Sequence, residues 1–107
     1  GTRLIRPESV LLLEADRRYT AVHTGSERLL VSQPLAHLHR RLEEPPFVRI
    51  HRSYVVNLRA VRAHDRAEGQ PCLRLDGFPE RCVPVSRRRS GEVRGLLGIG
   101  DADPSQP

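Results

Sequence analysis

Short apolar runs between polar turns, with period-two alternation at Val48-Arg49-Ile50 and from Leu58 to His64, predict a series of short strands. Val10 to Glu14 reads as a buried strand and Tyr19 to Thr24 as its partner, with Asp16-Arg17-Arg18 as an exposed tip between them. In the second strand Tyr19, Ala21 and His23 share one face and Val22 takes the other. Leu4-Ile5 suggests a short strand before a turn at Pro7-Glu8-Ser9, and Arg28 to Val31 returns from a turn at Gly25-Ser26. Two stretches change period. Leu35, Leu38 and Leu42 recur at helical spacing and predict an amphipathic helix over Ser32 to Leu42, with Ser32 as N-cap, Pro34 in the first turn and Glu43-Glu44-Pro45-Pro46 as the stop. Ser90 to Leu97 predicts a short C-terminal helix with Val93, Leu96 and Leu97 on one side, weakened by Gly95.

The densest information lies in Phe47-Val48-Arg49-Ile50-His51-Arg52-Ser53-Tyr54-Val55-Val56-Asn57. Val48 and Ile50 alternate with Arg49 as in a strand. His51, Arg52 and Ser53 then interrupt the apolar run, and Tyr54-Val55-Val56 returns to the core. Asn57 reads as a turn former suited to the left-handed region, a structural role. A tip anchored by buried residues on both sides holds its side chains nearly fixed, as a recognition site requires. Beyond it, Leu58 to His64 alternates as a strand and Asp65 to Gln70 reads as a polar turn. Cys72 to Leu75 and Arg81 to Val85 form a last hairpin around Asp76-Gly77. With no repeat or linker, residues 1–100 read as one domain. Asp101 to Pro107, with Ala102 its only apolar residue, is expected to be a disordered tail.

Composition narrows the chemistry. A chain of 107 residues with two Phe, two Tyr, no Trp and no Met builds one modest core, mainly of Leu and Val. No apolar run approaches the ~18 residues of a membrane span and no secretory segment opens the chain, so a soluble cytoplasmic protein is expected. All 18 basic residues are Arg and the formal charge is +5. Guanidinium suits bidentate contact with phosphate and with the guanine edge, and net positive charge favours a polyanionic partner. Arg87-Arg88-Arg89 is the densest charge, read as a strand end before the helix. Arg17-Arg18 and Arg52 are two further basic tips.

Other chemistries find little support. His37 and His39 are two apart in a helix and do not face each other, and no HxxxH or CxxC spacing occurs, so no metal site or cofactor is expected. Ser53 beside His51 is not a triad, and no hydrolase elbow, phosphate loop or dinucleotide fingerprint appears, so the chain is not read as an enzyme. Cys72 and Cys82 would face each other across a hairpin with a three-residue loop and point apart with a two-residue one. They are read as two small half-buried thiols.

FVRIHRSYVVNL resembles the signature segment of LytTR DNA-binding domains, output modules of bacterial response regulators. Leu11 to Thr24 resembles that family's first core hairpin, and Val83-Pro84-Val85-Ser86-Arg87 its closing strand end. The resemblance covers residues 4–97. It implies a mainly β fold: an elongated sandwich of short antiparallel sheets with one small amphipathic helix and a short C-terminal helix. It also implies sequence-specific binding of double-stranded DNA by loops inserted into successive major grooves. By position, Arg52 and Arg87 are the candidates for base-edge contact, Arg17 or Arg18 for the first-loop contact, and Arg88 and Arg89 for phosphates. His51 either joins them or stitches its own turn. The family further implies a receiver or sensor domain as partner, dimeric binding to repeated half-sites, and no membrane. The alternative is an Arg-rich interaction module for an acidic protein. An RNA binder would need exposed aromatic platforms, and most of the four aromatics read as buried.

Overall fold

The computed structural model describes residues 4–98, so the expected tail at 101–107 lies outside the described residues. Among the described residues, eight strands form two antiparallel sheets. The first contains β1 (Val10–Asp16), β2 (Tyr19–Thr24), β3 (Arg28–Val31), β4 (Phe47–His51) and β5 (Tyr54–Asn57), in the order β3-β2-β1-β5-β4. The second contains β6 (Val61–Ala67), β7 (Gln70–Leu75) and β8 (Phe78–Pro84), in that order. Helix α1 (Leu35–Arg41) precedes β4, and α2 (Arg87–Leu96) follows β8.

The larger sheet is covered on both faces, which explains why buried residues run consecutively in Leu12-Leu13 and Val55-Val56. On one face Leu12, Ile50 and Val56 meet Leu73, Leu75 and Val83 of the second sheet, with Val85 and Val93 from the α2 region. On the other, Val10, Leu13, Val22, Phe47 and Val55 pack against Leu35 of α1, with Leu38 and Leu42 at the margin. The β7–β8 turn also leans on β1. Gly77 has φ +88°, and a Cβ there would stand 2.6 Å from Leu11 Cδ1.

Several boundaries move from their expected places, each for a local reason. Leu4-Ile5 pairs with no strand and Leu4 is almost wholly exposed; Pro7–Ser9 is a 3-10 turn. The first helix starts at Leu35, not Ser32, because Gln33 precedes proline and is driven from helical geometry, leaving Pro34 at the N-cap position. Strand β6 begins after a 3-10 turn (Leu58–Ala60) and runs on to Ala67, with Arg74 Nε donating to Asp65 Oδ2 at 2.9 Å across the ladder, so the turn shrinks to Glu68-Gly69. Leu96 is exposed, unlike Val93 and Leu97, which pack in the core.

The cysteines are joined in a Cys72–Cys82 disulfide, not two thiols. A bulge explains it. Leu75 pairs with Phe78 but Arg74 with Cys82, so Pro79-Glu80-Arg81 drops out of register. That shift puts Cys82 on the face of Cys72, with Cα atoms 5.4 Å apart, within disulfide range.

Asn57 is structural, though not in the left-handed region: its backbone is extended and its side chain is buried. Its Nδ2 donates to Val10 O at 3.0 Å, and its Oδ1 accepts from Arg59 N at 2.9 Å, capping the 3-10 turn. Asn57→Ala should destabilise the domain by about 2 kcal/mol, since it removes the cap and orphans a buried carbonyl. Asn57→Asp should do no better, because a carboxylate keeps the cap but cannot donate to Val10 O. Chemical denaturation of both variants checks this, and a harmless Asn57→Asp would refute the buried donor role.

Candidate nucleic-acid interface

Strand pairing carries the basic segments to one end of the larger sheet. β1 runs out to the Arg17-Arg18 turn beside β5, which starts just after Arg52-Ser53, and Glu14 pairs with Tyr54. Beyond that pair Ala15 N donates to Ser53 O at 2.9 Å, tying the two turns together. On the far side of β4, Ser86 N donates to Ile50 O at 2.8 Å and sets the start of α2 against the same turn. Arg17, at φ 59°, Arg18 and Arg52 are all exposed at the turns.

Arg87, Arg88 and Arg89 are not a strand end but the first turn of α2. Arginine is a good helix former, and burial of Val93 offsets the two glycines of this helix. The helical turn spreads the three side chains around the axis. Arg88 and Arg89 line a cleft of about 310 Å³ with Arg49, His51, Arg52 and Ser86, and no carboxylate lines it. Arg87 instead lines a second cleft on the other side of α2, with Arg66 and Ser90. The apolar groove beside α1, lined by Ile5, Val10, Leu13, Val22 and Leu38 among others, shares no lining residue with either cationic cleft.

Within the first cleft the side chains divide into holders and free ends. Arg49 Nη2 donates to Arg52 O at 2.5 Å and its Nε to His51 O at 3.3 Å, so one guanidinium braces the tip from behind. Arg89 Nη1 reaches back to Arg49 O at 3.5 Å. Among the described residues, no hydrogen bond or ion pair engages the guanidinium of Arg17, Arg18, Arg52, Arg87 or Arg88. Alternation marked Arg49 only as the outward residue of a strand, and nothing in the pattern revealed that it folds back on its own turn.

His51 stitches its turn: Ser53 N donates to its Nδ1 at 3.1 Å. The accepting Nδ1 puts the proton of the neutral ring on Nε2, leaving a donor. Burial and then the neighbouring Arg52 charge push its pKa down, so the ring is neutral at pH 7. It also packs on Tyr54, with ring centroids 5.3 Å apart.

Beneath the tip a polar network joins the sheets. Arg81 Nη2 donates to Glu14 Oε2 at 2.8 Å and to Tyr54 Oη at 3.3 Å, with its guanidinium carbon 5.6 Å from the Tyr54 ring centroid. His23 Nε2 lies 2.9 Å from Glu14 Oε1. Burial alone would raise the Glu14 carboxyl, but hydrogen bonds from Arg81 and His23, with their charges, outweigh it and hold the pKa below the usual range. The folded value is thus below the unfolded one, about 4.3. The ion pair stabilises the fold above that unfolded value, and the contribution is lost as pH falls through the folded pKa. Melting curves should show a steeper acid decline in the parent than in Glu14→Gln; identical slopes below pH 5 would refute the assignment.

Among the described residues, short antiparallel sheets carry unpaired arginines at their turns and at the start of α2, a β-rich domain with a cationic end. The chain belongs to the LytTr DNA-binding domain family, whose profile matches residues 1–98. It is 39% identical over 98 residues to the CO-responsive transcriptional regulator RcoM of Rhodospirillum rubrum, a match covering 92% of this chain and 42% of that protein. It is 32% identical over 96 residues to the heme-containing CO-sensing transcriptional regulator RcoM 2 of Paraburkholderia xenovorans, covering 90% of this chain and 36% of the relative. The chain therefore spans less than half the length of these relatives. Among solved structures it resembles the LytTr DNA-binding domain of a putative methyl-accepting/DNA response regulator from Bacillus cereus. The TM-score is 0.75 at 27% identity, over 88% of this chain and 85% of that one. The fold is that of the family, and the chain is a DNA-binding domain of transcription regulation, not an enzyme.

Proposed function

We propose that the domain recognises a specific duplex sequence by inserting its turns into the major groove. Arg52 and Arg87 address base edges, Arg17 or Arg18 makes the contact of the first turn, and His51 offers its Nε2 donor beside Arg52. Arg88 and Arg89 meet phosphates, Arg88 with a freer side chain than Arg89. The observation that carries this reading is the gathering of the Arg17-Arg18 turn, the Arg52 turn and the start of α2 at one end of the sheet, where the unpaired Arg52 and Arg88 share a cleft whose described lining includes no carboxylate. The domain acts in the cytoplasm as the output module of a regulator, under a receiver or sensor domain, and two copies occupy repeated half-sites about one helical turn apart. Residues 1–100 form the binding unit.

Selection of a consensus from a random duplex pool, followed by titration against that duplex, random duplex and single-stranded RNA, tests the reading. With about four to six phosphate contacts, log affinity should fall with log salt at a slope of roughly −4 to −5. A slope near zero, or equal affinity for every duplex, would reject it. Preference for an acidic protein over any duplex would favour the interaction-module alternative.

A further inference from the structure

The cleft on the far side of α2 has no role in that reading beyond Arg87 at its edge. It is about 290 Å³, and Arg66, Gly69, Pro71, Arg87 and Ser90 line it. Arg66 belongs to β6, so a strand of the smaller sheet meets the helix that starts at the cationic end of the larger one. The placement follows from two periodicities. His64 and Arg66 share a face of β6, while Arg87, Ser90 and Arg94 follow one another along one side of α2 at helical spacing. Arg66 from the first row and Arg87 and Ser90 from the second line the same cleft, so the two elements face each other there.

The cleft is built to hold charge. Arg66 Nη1 donates to Gly69 O at 3.2 Å, which directs the guanidinium over the β6–β7 turn and leaves its other N–H groups unengaged among the described residues. The acid closest in sequence is occupied: Asp65 Oδ2 accepts from Arg74 and Oδ1 from the Arg66 backbone N–H, and Asp65 does not line the cleft. With Arg87 turned to the base, the Arg66 guanidinium and the Ser90 hydroxyl remain, and with no carboxylate in the described lining they suit a phosphodiester.

We propose that Arg66, with the Ser90 hydroxyl, binds a backbone phosphate of the DNA next to the base addressed by Arg87. The second sheet thereby extends the interface past the turns of the first. This inference rests on the DNA reading above and adds a contact that positions the duplex without reading sequence.

Arg66→Ala, Arg66→Lys and Ser90→Ala should be titrated across salt on the selected duplex and on a random one, beside the parent. Arg66→Ala is expected to weaken both duplexes by the same factor, roughly threefold to tenfold at low salt, and to reduce the salt slope by about 1. Arg66→Lys should restore the slope and most of the affinity, because a phosphate accepts a point charge where a base edge does not; rescue also separates contact from mere support of the turn. Ser90→Ala should lower affinity on both duplexes without changing the slope. An unchanged slope in Arg66→Ala, with the parent still steeply salt-dependent, would overturn the cleft and leave the DNA reading standing. Loss on the selected duplex alone would also overturn it, showing a base contact. A parent without duplex binding would sink both.

Discussion

Leu12→Ala should cost about 2–5 kcal/mol and lower the melting temperature by on the order of 10–20 °C, the largest effect expected of any single truncation in this domain. Leu12 is fully buried in the cluster shared by both sheets and α2, so its loss leaves a cavity where three parts of the fold meet. Collapse around the cavity is limited because Ile50 and Val56 are fixed by their strands and Leu73 and Val83 by theirs. One cooperative transition at lower temperature is expected, since neither sheet has another partner for that face. Leu30→Ala serves as the contrast: that side chain is 55% exposed on edge strand β3 and its loss should fall within about 0.5 kcal/mol. Equal melting of the two variants, or two separated transitions in Leu12→Ala, would mean that the inter-sheet core is not what holds the domain together.

What the sequence disclosed follows how local its causes are. Hairpins such as Val10 to Thr24 and Phe47 to Asn57 are written in short apolar runs broken by polar tips, and both are where the pattern put them. The first helix shows the limit of reading signals singly. Ser32 is a good cap by residue type, but the steric demand of Pro34 on Gln33 overrides it. The disulfide was illegible because it depends on a bulge at Pro79-Glu80-Arg81, and a register shift leaves no trace in hydrophobic period. At the interface, charge density located Arg87-Arg88-Arg89 but not their helical turn, which sends Arg87 to one cleft and Arg88 and Arg89 to another. Arg49 and Arg66 were missed for one reason. Neither belongs to a run of charge, and what places its side chain is either a neighbour distant in sequence or its own folded-back turn.

Arg52→Ala should cost about 1–3 kcal/mol on the selected duplex and much less on random DNA, while the protein melts like its parent. The two halves of that expectation come from different atoms of one residue. The Arg52 carbonyl is structural, since Arg49 Nη2 donates to it, but alanine keeps that carbonyl and the brace with it. The Arg52 guanidinium is exposed and donates to no group among the described residues, so its removal orphans nothing in the free protein. Arg52→Lys should fail nearly as badly on the selected duplex, because an ammonium cannot reproduce a two-pronged base contact. Arg49→Ala should behave in the opposite way, loosening the turn and reducing binding to both duplexes together. A charge-matched control is needed, and Arg28 does not provide one, because its Nη2 pairs with Asp16 Oδ2 at 2.6 Å close to the first turn. Arg40, exposed on α1, is the better choice and its loss should cost little on either duplex. Melting and both affinities, measured on the parent and these four variants, separate recognition from support. Normal melting of Arg52→Ala together with parental affinity for the selected duplex would remove Arg52 from the recognition site.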